Sequence, residues 1–130
     1  MINFELSQPK RAWQWRGYVD GKNTHLIRLV NWRYDESGER EVWNIYLSLF
    51  EDHPLFERAR NYNYPFGDAG WCPEMHGGVT HYEKSEKHVE FGCDYSHYRD
   101  DFYQQTHDPE QFLVDLKLLD AQVNGAEAMA

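Results

Sequence analysis

A chain of 130 residues that is 41% hydrophobic and 16% aromatic is sized for one domain and can close a core without staples. Its formal charge of −9 is unevenly placed: residues 1–60 carry nine basic and nine acidic side chains, residues 61–130 four against thirteen. An acidic half repels phosphate backbones, so direct nucleic-acid binding is not expected, whereas a basic protein partner would meet a complementary potential. No apolar run approaches the roughly 18 residues of a membrane span, and Met1–Ser7 lacks the basic start and long apolar run of a secretory signal. Cys72 and Cys93 are too few for a disulfide framework and are expected as reduced thiols in a cytoplasmic protein.

In chain order, Ile2–Leu6 alternates apolar and polar and predicts a short first strand. Arg11–Val19 follows with Trp13, Trp15 and Tyr18, ended by the Asp20-Gly21 turn signal. Thr24–Tyr34 places Leu26, Val30, Trp32 and Tyr34 on one face and Ile27 and Leu29 on the other, which predicts a central strand covered on both sides. Asp35–Glu39 reads as a loop, and Val42–Phe50 as a strand with Trp43, Ile45, Leu47 and Leu49 inward. These strands predict an antiparallel meander. His53-Pro54-Leu55-Phe56 turns the chain, with one helical turn up to Arg60. Asn61–Gly70, rich in Asn, Gly and aromatics, suits a surface loop able to cover a site.

Pro73–Tyr82 and Glu86–Cys93 predict two more strands joined near Lys84-Ser85. In the second, Val89, Phe91 and Cys93 face one way and His88, Glu90 and Asp94 the other. Asp108-Pro109-Glu110-Gln111 has an N-cap, a proline at the first helical position and a capping-box glutamine. Phe112, Leu113, Leu116, Leu119 and Val123 then recur at helical spacing up to the Asn124-Gly125 stop. The expectation is an α+β domain over residues 1–124: about five to six antiparallel strands with one C-terminal helix on one face, and a frayed tail at 125–130.

The residues able to bind or react collect between Cys72 and Asp100. In His76-Gly77-Gly78-Val79-Thr80, two glycines let backbone N–H groups approach a ligand, with His76 and Thr80 adding side-chain groups. Asp94-x-x-His97-x-x-Asp100 would bring its members onto one side of a helical turn, able to orient His97 as a base or ligate a metal. Its alternative is an Asp capping a turn beside solvated side chains. Cys72-x3-His76 and Cys93-x3-His97 repeat a spacing that can ligate zinc. Neither matches the common short zinc-finger spacings, and Cys93 falls on an apolar strand face, so no metal or other cofactor is expected. Tyr62, Tyr64 and Phe66 can stack on a ligand or pack their own loop. His81, His88 and His107 read as surface histidines, and no P-loop, dinucleotide, nucleophile-elbow or zinc-protease motif is present.

Taken in order, His53-Pro54-Leu55-Phe56, His76-Gly77-Gly78-Val79-Thr80 and Phe91-Gly92-Cys93-Asp94-Tyr95-Ser96-His97-Tyr98-Arg99-Asp100 resemble a family of small uncharacterised phage and prophage proteins. Its members share a His-Pro-aromatic turn, a His-Gly-Gly-x-Thr strand and an apolar-Gly-Phe-Asp-x-x-His-x-x-Asp segment. The chain departs from that pattern at Cys93, where an aromatic is usual, and at Arg99, where glycine is. The resemblance covers about residues 43–102 and implies a phage origin, hence the cytoplasm of an infected bacterial cell, and a shared purpose for His76, Asp94, His97 and Asp100. It implies no reaction. Two functions are therefore expected in competition. One is a counter-defence binder that inhibits a host defence protein or sequesters a nucleotide signal, with His76, Gly77, Gly78, Thr80, Tyr64 and Arg99 lining the ligand site. The other is a small metal- or histidine-dependent hydrolase of an anionic or nucleotide substrate, with His97, Asp94 and Asp100 catalytic. An exposed meander edge also permits a homo-oligomer.

Overall fold

The structure, a computed structural model, describes residues 2–6, 11–33, 41–96 and 100–124. The period-two segments form five strands, β1 (Ala12–Val19), β2 (Lys22–Arg33), β3 (Glu41–Phe50), β4 (His81–Lys84) and β5 (His88–Asp94). All pair antiparallel in one sheet of order β1-β2-β3-β5-β4. Strands β1 to β3 make the expected meander. The β4–β5 hairpin then docks with its second strand against β3. The composition of the two strands accounts for this. In β5, Val89, Phe91 and Cys93 are all buried, whereas β4 is four residues long and ends on exposed Glu83 and Lys84. The strand with the continuous apolar face takes the inner position, and the short polar one makes the edge.

One face of the sheet is the core. Ile27 and Leu29 of β2 pair with Leu47 and Ile45 of β3, and these with Phe91 and Cys93 of β5. Every one of them is at most 2% exposed. Burial of this kind stabilises by about 1.5–3 kcal/mol per large aliphatic or aromatic side chain. A short α1 (Phe56–Arg60), a second short helix α2 (Asp101–Gln105) and the C-terminal α3 (Leu113–Asn124), entered through a 3-10 turn at Pro109–Phe112, cover this face. Asp108 caps that turn, its Oδ1 accepting from Glu110 N–H at 3.0 Å. Phe112, Leu116, Leu119 and Val123 are the buried stripe, as their spacing predicts. Trp43 ties sheet to helices. Its ring lies 4.6 Å from Phe112, and its Nε1–H donates to Thr106 O at 3.0 Å.

Three expectations are corrected. In β2 the Ile27/Leu29 parity is the core side, while Trp32 is 56% exposed. The apolar residues on both parities left the choice to the neighbouring strands, and Trp15 and Leu47 flank Ile27. Ile2–Leu6 forms no strand. It is pinned as a coil by Phe4 edge-on to Trp15 at 4.8 Å and by Ile2 N–H donating to Asp120 Oδ2 at 2.8 Å. Finally, Pro73–Thr80 is not strand, and β4 begins at His81. The double glycine breaks it. Gly77 and Gly78 take φ of 67° and 87°, and Gly78 N–H closes a turn on Met75 O at 2.9 Å. Tyr34, the Asp35–Glu39 loop and the 125–130 tail lie outside the described residues.

Candidate functional site

The turn at 75–78 and helix α3 enclose, with β3 and β5, a cavity of about 260 Å³. Ile45, Met75, Cys93, Leu118 and Leu119 supply its apolar wall, and Glu74, His76, Tyr95, Asp115 and Gln122 its polar groups. The Gln122 side chain holds the loop against α3. It accepts from Glu74 N–H at 2.7 Å and donates to Glu74 O at 3.0 Å. Tyr95 is fully buried and its hydroxyl donates to Asp115 Oδ2 at 2.6 Å. Burial and the adjacent carboxylate push the Tyr95 phenol up, so it remains a donor. His76 stacks on the Tyr95 ring at 4.2 Å, and its Nε2 lies 2.8 Å from Asp100 Oδ1, which fixes the imidazole from two directions. Cys93 is inert here, because burial pushes its thiol up to about 12. Among the described residues no lysine or arginine lines the cavity.

The predicted site residues divide. His76, which lines the cavity, meets Asp100 behind it. Thr80 and Asp94 meet elsewhere, on the opposite strand parity from Cys93. Thr80 Oγ1 donates to Asp94 Oδ2 at 3.3 Å, and Asp94 Oδ1 caps the turn by accepting from Ser96 N–H at 3.0 Å. Tyr64 leans on the same corner, its hydroxyl donating to Thr80 O at 3.0 Å. Gly77 and Gly78 shape the turn that presents Met75 and His76. His97 and Arg99 lie outside the described residues. Of the loop aromatics Tyr62 packs into the core, its ring centroid 5.2 Å from that of Tyr82 and 5.7 Å from that of Phe91, while Phe66 is exposed. Neither Cys72, half-buried, nor Cys93, buried, is in a disulfide.

Two clusters escaped the sequence. The sheet face opposite the helices carries Arg28, Ser48, His81, His88 and Glu90. Arg28 pairs with Glu90 Oε1 at 2.7 Å, His81 Nε2 with Oε2 at 3.0 Å, and Ser48 Oγ lies 3.1 Å from His88 Nε2. Burial alone would raise the Glu90 carboxyl. Hydrogen bonds from His81 and Arg28, together with the Arg28 charge, outweigh it and hold the group below the usual carboxylate range. The available signal was strand parity, since 28, 48, 81, 88 and 90 all alternate against core residues. The other cluster is buried: His25, His53 and Asp120, with His25 Nε2 3.5 Å from Asp120 Oδ1, at the outer limit of hydrogen-bonding distance. Its members come from β2, the turn before α1 and α3, and no local spacing connects them.

No protein-family model, curated protein or solved structure matches this chain.

Proposed function

We propose that the protein is a small-ligand binder whose guest occupies the cavity between the sheet and α3. The carrying observation is an apolar pocket with two carboxylates, Glu74 and Asp115, and no lysine or arginine among its described lining residues. At about 260 Å³ it exceeds a roughly 150 Å³ hole that holds benzene. It falls just below the roughly 300–1,000 Å³ pockets of drug-sized ligands. The guest is therefore one or two rings in size, uncharged or cationic, and bears an N–H donor. Asp115 is prepared for it. Tyr95 occupies Oδ2, leaving Oδ1 as acceptor.

A nucleobase with an exocyclic amine meets this description, with any phosphates left outside the acidic rim. That chemistry is compatible with sequestering a nucleotide signal; the motif resemblance supports a phage origin, and the small size, acidic C-terminal half and many aromatics favour an accessory binder acting against host defence in the bacterial cytoplasm. Calorimetric titration with adenosine, guanosine, cytidine and inorganic phosphate tests the reading. One nucleoside is expected to bind, weakened at least about tenfold by Asp115→Asn, which removes a charged acceptor worth roughly 1.5–3 kcal/mol. Binding of phosphate alone, or of no nucleoside, would refute it.

The His76–Asp100 pair supports a second reading. A histidine oriented by a carboxylate beside a cavity has the parts of a general base, and in this reading of the hydrolase alternative His76 takes that role. Turnover of nucleoside esters that disappears in His76→Gln would favour it over stoichiometric binding.

A further inference from the structure

The geometry points to a site for a first-row divalent transition metal on the sheet face opposite the helices, held by His81, Glu83 and Glu90 of the β4–β5 hairpin. His81 and Glu83 alternate on β4, so they share a face, and Glu83 sits directly across from Glu90 on β5. Their ligand atoms, one imidazole nitrogen and two carboxylate oxygens, all lie within 4.8 Å of one another. Donors bound at about 2.0–2.2 Å on adjacent corners of an octahedron or tetrahedron stand about 3.0–3.5 Å apart. His81 Nε2 and Glu90 Oε2 are already at 3.0 Å. Only Glu83, exposed at the edge, has to turn inward, and that is a rotamer change of a solvated side chain.

Two further observations favour a cation at this spot. Like charges directly opposed across strands destabilise a sheet, and Glu83 opposite Glu90 is such a pair. An ion between them removes the conflict. Arg28 meanwhile grips the other oxygen of Glu90, Oε1, at 2.7 Å, and so aims Oε2 at His81. Outer partners of this kind orient metal-ligating carboxylates. The nitrogen donor selects zinc, cobalt or nickel over magnesium or calcium, which prefer all-oxygen ligands. Three protein ligands leave coordination positions open to water or to an anionic group.

The site lies on the opposite side of the sheet from the cavity, so its test is independent of the proposed ligand. The chelator-stripped full chain is titrated with zinc by calorimetry and with cobalt by visible absorption. Expected are one equivalent of each metal and a cobalt spectrum without a thiolate band. Affinity should fall about tenfold or more in His81→Ala and, separately, in Glu83→Gln, and stay unchanged in His88→Ala and Cys72→Ser. Because Glu83 is exposed on an edge strand, Glu83→Gln folds, as far-UV circular dichroism will verify. Absence of saturable one-equivalent binding overturns the site. So does binding indifferent to both His81→Ala and Glu83→Gln, or binding that requires Cys72 or His88.

Discussion

His53 is satisfied only as a neutral ring. Its Nε2 donates to Val123 O at 3.2 Å, and its Nδ1 accepts from Leu55 N–H at 3.0 Å, so a second proton at Nδ1 would oppose an N–H. Burial, first, and the neighbouring His25 lower its affinity for a proton to a value of about 4, against the pull of the Val123 carbonyl. Above the ordinary value of 6.5 both folded and unfolded chains hold this ring neutral. Between 6.5 and about 4 the unfolded chain takes up a proton that the folded one refuses. Stability must therefore fall with pH across that window, by up to about 3 kcal/mol from this residue. Urea midpoints at pH 7.5 and 4.5 measure the drop, and His53→Gln should flatten it. An equal drop in the variant would assign the acid sensitivity to other groups. The same cluster makes position 17 a glycine, since a methyl there would lie 1.9 Å from the His25 ring.

Gln122 does for the 72–78 loop what a ladder does for a strand: one side chain meets both the N–H and the C=O of Glu74. Gln122→Ala returns both groups to water, and the folded chain should lose only about 1 kcal/mol. The Glu74 amide should then exchange faster in deuterium oxide while β3 amides do not change, and any ligand of the cavity should bind more weakly. A loop held by other contacts would show neither effect. Most elements were legible because a single parity carried their apolar residues: Trp43, Ile45, Leu47 and Leu49 in β3, Val89, Phe91 and Cys93 in β5, and Phe112 to Val123 at helical spacing. Legibility failed where that condition did. β2 has apolar residues on both parities. Ile2–Leu6 alternates correctly, with Phe4 buried and Glu5 exposed, yet it makes its contacts through side chains rather than a ladder. Pro73–Thr80 keeps an apolar-polar alternation across Gly77 and Gly78, whose positive φ ends a strand.

At the scale of the whole sheet, local spacing does not give the order; it follows only from comparing the two hairpin strands, since the one with the continuous apolar face is the one that needs two neighbours. The site was half legible for a related reason. Its residue types were visible, but His76 meets Asp100 across 24 positions while Asp94, nearer in sequence, points through the sheet to the other side. Long-range pairing of this kind is not encoded in local spacing. The observed order has a measurable consequence. β3 lies between β2 and β5, with Leu47 paired to Ile27 on one side and Phe91 on the other, so no β3 amide can open without breaking a ladder inside the core. β4 has one partner strand and four residues, two of them exposed. Protection from exchange tracks the free energy of the opening that exposes each amide. The amides of Ile45 and Leu47 should thus exchange last, through global unfolding, and those of Tyr82 and Lys84 long before. Had the hairpin docked in the opposite sense, with β4 against β3, β5 would be the edge and its Phe91 and Cys93 amides would exchange early. Slow exchange at Phe91 together with fast exchange at Lys84 distinguishes the two arrangements in one experiment.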